Sequence, residues 1–240
     1  MYIVILALSL LVQAKPDDTA ANEALEKFKT DYKAKETGGR VMAVADLAKT
    51  QADKVWIRLG QVLTSPEEKE VRIAAAKGLG AATENKKKPV SILAASIAPN
   101  TKDVVVVAAI LEALGKLGDQ SAAPTVENYF KSKDVATLKA AVDAAGELKS
   151  RSSVPLLIDL VKRLEEGAKE APNLSGGGYG GGKLPTSGSG VSDDMAKERE
   201  KVVKPIAVKV LGNLTKTNFS LAKEWEEWWR SEGGKFMSGK

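Results

Sequence analysis

Apolar residues return along this chain at intervals of three and four. Val104, Val107, Leu111 and Leu114 form one run, and Leu156, Leu157, Leu160, Val161 and Leu164 another. That spacing lines up side chains on one stripe of an α-helix. Val41, Val44 and Leu47, then Val55, Leu59 and Val62, read as a further pair of helices, with Leu25, Phe28 and Tyr32 on a single helix before them. The stretch "VVVVAAILEAL" from Val104 is β-branched enough for a strand. Its place in the repeating order described next assigns it to a helix, and a helix apolar nearly all round belongs mid-stack with neighbours on both sides.

The helices obey a fixed internal ruler. Gly80, Gly115 and Gly146 each stand nine residues before a proline: Pro89, Pro124 and Pro155. Twelve residues before each glycine is an acid (Glu68, Asp103, Asp134), and six before it an alanine (Ala74, Ala109, Ala140). Each column has a physical role. The acid belongs in the first turn of a helix, facing the positive end of its dipole. The alanine lets a neighbouring helix approach. The glycine sits in the last turn or at the cap, where the chain bends, and the proline opens the next helix, where a missing N–H costs little. The unit is helix A, turn, helix B. "SPEE" at 65–68 reads as a capping box, with Ser65 as N-cap, Pro66 first in the helix and Glu68 third.

Two antiparallel helices per unit of 31 to 35 residues, carrying "VRIAAAKGLG", "AAILEALGKLGDQSAAPTV" and "KAAVDAAGELKSRSSVPLL", resemble HEAT repeats. The resemblance covers about residues 40–166 well and 195–231 loosely. It implies an all-α, right-handed α-solenoid of about five helix pairs plus an N-terminal helix. The family often places Val-Arg in helix A. Here Val71-Arg72 carries it, while Val107 and Leu138 stand in the aligned places of Arg72. The segment "NLTKTNF" followed by "WEEWW" is similar to the end of secreted bacterial HEAT-repeat proteins.

Three of the chain's four tryptophans fall in "EWEEWWR", residues 224–230. Trp225, Trp228 and Trp229 stand at i, i+3 and i+4, so they share a stripe, with the acids on the other faces. The ruler makes this helix B of a last unit whose helix A ends at Leu211-Gly212 and contains Pro205. Ser220 is the expected N-cap, and Gly233-Gly234 the expected end. A solenoid must seal its last repeat with a polar outer face. The stripe therefore reads as a terminal lid over the core, with a partner-binding site as the alternative.

The other segments complete the organisation. Residues 1–14, "MYIVILALSLLVQA", read as a signal peptide cleaved after Ala14, although no basic residue precedes the apolar run. The run is shorter than the roughly 20 residues that span a bilayer. Residues 15–38 form an N-terminal capping helix, 39–168 the repeats, 195–232 the terminal pair and 233–240 a tail. Between them lies 169–194, with eight glycines in residues 176–190; such a tract cannot bury enough apolar surface to order itself. Its "GGGYGGG" lacks the strand and spacing of a phosphate-binding loop. Tyr179 at its centre is a candidate docking tip.

Composition narrows the chemistry. The chain has no Cys and no His, which leaves out thiol nucleophiles, imidazole bases and the usual structural zinc ligands. The net charge is +5, and the largest basic run, Lys86-Lys87-Lys88, has no interleaved aromatics of the kind nucleic-acid surfaces use. Glu165-Glu166 and Asp193-Asp194 are adjacent pairs, which do not face each other on a helix. Ser152-Ser153 stands at a helix start, where capping explains it. No catalytic residue, cofactor or metal ligand is assigned. The reading is an exported, non-catalytic scaffold that binds a protein partner, with Trp225, Trp228, Trp229 and Tyr179 as candidate contacts. Two alternatives remain: a basic surface for an acidic polymer (glycan or nucleic acid), and a carboxylate or lysine enzyme in a concave groove.

Overall fold

The computed structural model describes residues 16–170 and 189–239, and among them every regular element is helical. The α-helices are α1 (Pro16–Asp31), α2 (Thr37–Leu47), α3 (Asp53–Thr64), α4 (Lys69–Gly80), α5 (Lys87–Ser96), α6 (Val104–Leu117), α7 (Ala123–Glu127), α8 (Val135–Leu148), α9 (Ser153–Glu170), α10 (Ser189–Thr215) and α11 (Ala222–Ser238). Short 3-10 turns at 98–100, 120–122 and 128–131 flank α5 and α7. In chain order α2/α3, α4/α5, α6/α7, α8/α9 and α10/α11 make five A/B pairs, and α1 packs on α2 and α3 at the N-terminal end. The A helices lie side by side in the order α2, α4, α6, α8, α10. The chain is an α-solenoid.

Residues 1–15 and 171–188 lie outside the described residues, so the signal peptide and Tyr179 fall there. α9 runs on to Glu170 and α10 starts at Ser189, so helix occupies both ends of the segment expected to be loop.

The apolar stripes form one continuous core. Val44, Leu59, Leu79, Leu93, Ile110, Leu114, Leu157 and Leu211 are all fully buried. α6 sits mid-stack between α4 and α8, as its all-round apolarity predicts. Its first turn departs from that pattern: Val104 and Val105 face solvent.

The ruler holds, but its acid column acts differently from expectation. The acids Glu68, Asp103 and Asp134 are N-cap residues, one step before the helix. Only Asp134 caps through its side chain, accepting from the Thr137 N–H at 2.7 Å. The other two carboxylates are taken by arginines. The glycines lie in the last turn, as expected, and they are where consecutive A helices touch: a Cβ on Gly80 would lie 2.8 Å from the Ala113 Cα, one on Gly115 2.7 Å from the Ala144 Cα, and one on Gly146 2.9 Å from a Val210 methyl. α4 ends at Gly80 itself, whereas α6 and α8 run on two residues and end at Gly118 (φ 65°) and Lys149 (φ 53°) in the left-handed conformation.

The "SPEE" capping box does not form. Ser65 closes α3, donating its hydroxyl to the Val62 carbonyl at 2.7 Å, and α4 starts at Lys69. Glu68 is instead bound by Arg40, whose Nη2 donates to both carboxylate oxygens at 2.6 Å. That interaction holds the Glu68 carboxyl below its usual range. One repeat later, Arg72 donates to Asp103 and to the buried Asn100, both at 2.6 Å, and Asn100 donates to the Leu63 and Ser96 carbonyls. A two-rung arginine–acid ladder thus joins the first three pairs. It stops at α6, where Val107 replaces the arginine and is buried.

Candidate interaction surface

At the N-terminal end of the A layer, the exposed side of α2 and α4 is apolar. Between α2 and α4 runs a groove of about 560 Å³. Val41, Ala45 and Ala48 line it from α2, and Ile73, Ala74 and Ala81 from α4 and its cap. These positions are half-buried or exposed. A solvated helix face would carry polar residues there. The α4 side is one helical stripe, Glu70-Ile73-Ala74-Lys77, charged at both ends and apolar in the middle. The sequence does not mark this site: of the three column alanines, Ala109 and Ala140 are buried, whereas Ala74 is left half-open.

At the other end of the A layer, a groove of about 470 Å³ lies between α8 and α10. Glu112, Lys116, Asp143, Glu147 and Lys209 line it over a floor of Ile206 and Val210. Charges of both signs are mixed there, so it presents no field of one sign to a polyanion.

The tryptophan stripe divides. Trp225 is entirely buried and meets Phe219 edge-on at 5.0 Å. Trp228 and Trp229 are half-buried in a cluster with Phe236, whose ring is covered by the Arg151 guanidinium at 4.6 Å. Only Trp228 and Trp229 thus offer ring surface to solvent. α11 does not end at Gly233-Gly234 but continues to Ser238. The Trp229 ring lies against Gly233, where a Cβ would come within 2.7 Å, so this glycine makes room for a ring rather than stopping the helix. The N-cap is Leu221, not Ser220. Glu224 accepts from both their backbone N–H groups, at 3.1 and 2.9 Å.

Of the carboxylates singled out by sequence, Glu165 is structural. Glu165 accepts from the Ala222 N–H at 3.1 Å and pairs with Lys204 at 3.0 Å, tying α9, α10 and the start of α11 together. Glu166 and Asp194 make no such link, and the Asp193 side chain lies outside the described set. Ser152 and Ser153 donate to one Glu127 oxygen at 2.9 and 2.7 Å, and Ser150 approaches it at 3.4 Å. A serine beside a carboxylate resembles a nucleophile beside its base. Ser153, however, is fully buried, and all three hydroxyls are spent on one acceptor, so the cluster staples α7 to α9. No group of acidic residues among the described side chains has the spacing to hold a metal ion. The Lys86-Lys87-Lys88 run opens α5 beside Asp119, whose carboxyl is held below its usual range, chiefly by Ser121 and further by Lys87 and Lys86. No helix among the described residues is long and apolar enough to cross a membrane.

Residues 92–171, from within α5 to the end of α9, match the family model for HEAT repeats. No curated protein matches the chain.

Proposed function

We propose that this HEAT-repeat solenoid is an exported, non-catalytic scaffold that engages protein through the outward face of its A helices. HEAT repeats are typically protein-interaction scaffolds, and the match over residues 92–171 supports that class. One observation carries the choice of face: the apolar groove between α2 and α4, floored by alanines that admit close approach. Trp228 and Trp229 are a secondary contact region at the far end of the stack. The apolar opening of the chain, residues 1–14, supports export with cleavage after Ala14.

The test is residue-specific photocrosslinking in the native host, with the crosslinker at Ala45 in the groove or at Gln61 on α3. Protein adducts are expected at Ala45 and not at Gln61. Equal yields at the two positions would overturn the choice of face. N-terminal sequencing of the protein recovered outside the cytoplasm should begin at Lys15, and an intact Met1 would overturn cleavage after Ala14; recovery in the cytoplasm alone would overturn export.

A further inference from the structure

The α4 stripe has an internal symmetry. Glu70 and Lys77 are two turns apart, roughly 10 Å along the axis, with Ile73 and Ala74 midway between them. Neither charge has an ion-pair partner among the described residues, although many other charged side chains of the stack do; Lys49, beside them, is held by Asp46 at 2.7 Å. If the stripe is turned end for end about a point between Ile73 and Ala74, Glu70 falls on Lys77 and Ile73 on Ala74. The stripe is its own complement, in charge and in size.

We propose that the α4 face is the self-association surface of this protein, and that two copies pack with their α4 helices antiparallel about a two-fold axis between Ile73 and Ala74. This rests on the reading of the A face as the binding face and names its occupant. Under a two-fold, each contact occurs twice. Glu70 of each copy meets Lys77 of the other, and each Ile73 fills the hollow over the opposite Ala74. Val41 and Ala45 on α2 extend the apolar patch along one side of α4. The antiparallel arrangement also sets the two helix dipoles in opposition, which favours it over the parallel one. A parallel pairing would put Glu70 on Glu70 and Lys77 on Lys77.

Sedimentation equilibrium on the full chain tests this with three variants. The wild type should be a dimer that weakens with salt. Lys77→Glu gives a stripe with two acids and Glu70→Lys one with two bases. Each alone should weaken the dimer at least about tenfold, since like charges then face each other twice. An equimolar mixture of the two should form a heterodimer, and the double swap, Glu70→Lys with Lys77→Glu, should restore self-association. Because both positions are exposed, the mixture also shows that each variant is folded. A wild type that stays monomeric at high concentration overturns the proposal, as does a dimer indifferent to the single charge reversals. In either case, crosslinks from Ala45 to a different protein would leave the scaffold reading standing, and crosslinks equal to those at Gln61 would remove both.

Discussion

Gly115 of α6 lies so close to Ala144 of α8 that a Cβ on the glycine would stand 2.7 Å from the alanine's Cα and 3.0 Å from its Cβ. Backbone, not a movable side-chain tip, occupies the space. Gly115→Ala must therefore push two helices apart, and should cost about 1–3 kcal/mol. Gly167 in α9 has nothing within 4 Å of its missing Cβ. Gly167→Ala should stabilise by about 0.5–1 kcal/mol, through helix propensity alone. Urea unfolding of the two variants should move the midpoint in opposite directions.

Lys149 ends α8 at φ 53°, in the place Gly118 holds one repeat earlier. A side chain in that conformation costs roughly 1–2 kcal/mol. Lys149→Gly should recover about 1 kcal/mol in thermal unfolding, while Gly118→Ala should lose a comparable amount.

The lid's energy rests on one ring more than on three. Trp225→Ala should cost about 3–5 kcal/mol, as for a fully buried aromatic. Trp228→Ala should cost clearly less, because that ring is half in water. Equal losses by chemical denaturation would mean that the stripe is uniformly core.

Arg72 holds Asn100 and Asp103 across the second and third pairs. Arg72→Leu leaves the buried Asn100 carbonyl oxygen without its donor and should cost about 1.5–3 kcal/mol. Amide exchange should rise first around the 96–103 turn. Exchange that rises uniformly would show that the ladder is not a local tie.

Asp46 sits between Lys49 and Lys27, which bond to it and lower its carboxyl to about 2. A folded value below the unfolded one means that its contribution is fully present above the ordinary carboxylate range, near pH 4. The contribution is lost as pH falls toward 2. The stability difference between wild type and Asp46→Asn should therefore exist at neutral pH and shrink across that window; a difference constant from pH 6 to 2 would contradict the pairing.

What the sequence determined by itself was everything periodic: the helices, their pairing into repeats, and the register of acid, alanine, glycine and proline. Spacing along one chain reports which residues share a helical face, because helix geometry is local. Tertiary structure decided what those faces meet. The column glycines carry the same letter whether a chain bends or a neighbour presses on them, and only Ala113, Ala144 and Val210 show that a neighbour does. Arg40 was invisible as the ladder's first rung because its partner, Glu68, lies in the next repeat and looked like a capping residue. Gly233 looked like a helix stop, since propensity favours one there, until the Trp229 ring was seen to fill the space above it. The groove was hidden for the same reason. Ala74 belongs to a column of alanines, and whether each is covered depends on how far apart two helices stand, a distance set by all the side chains between them.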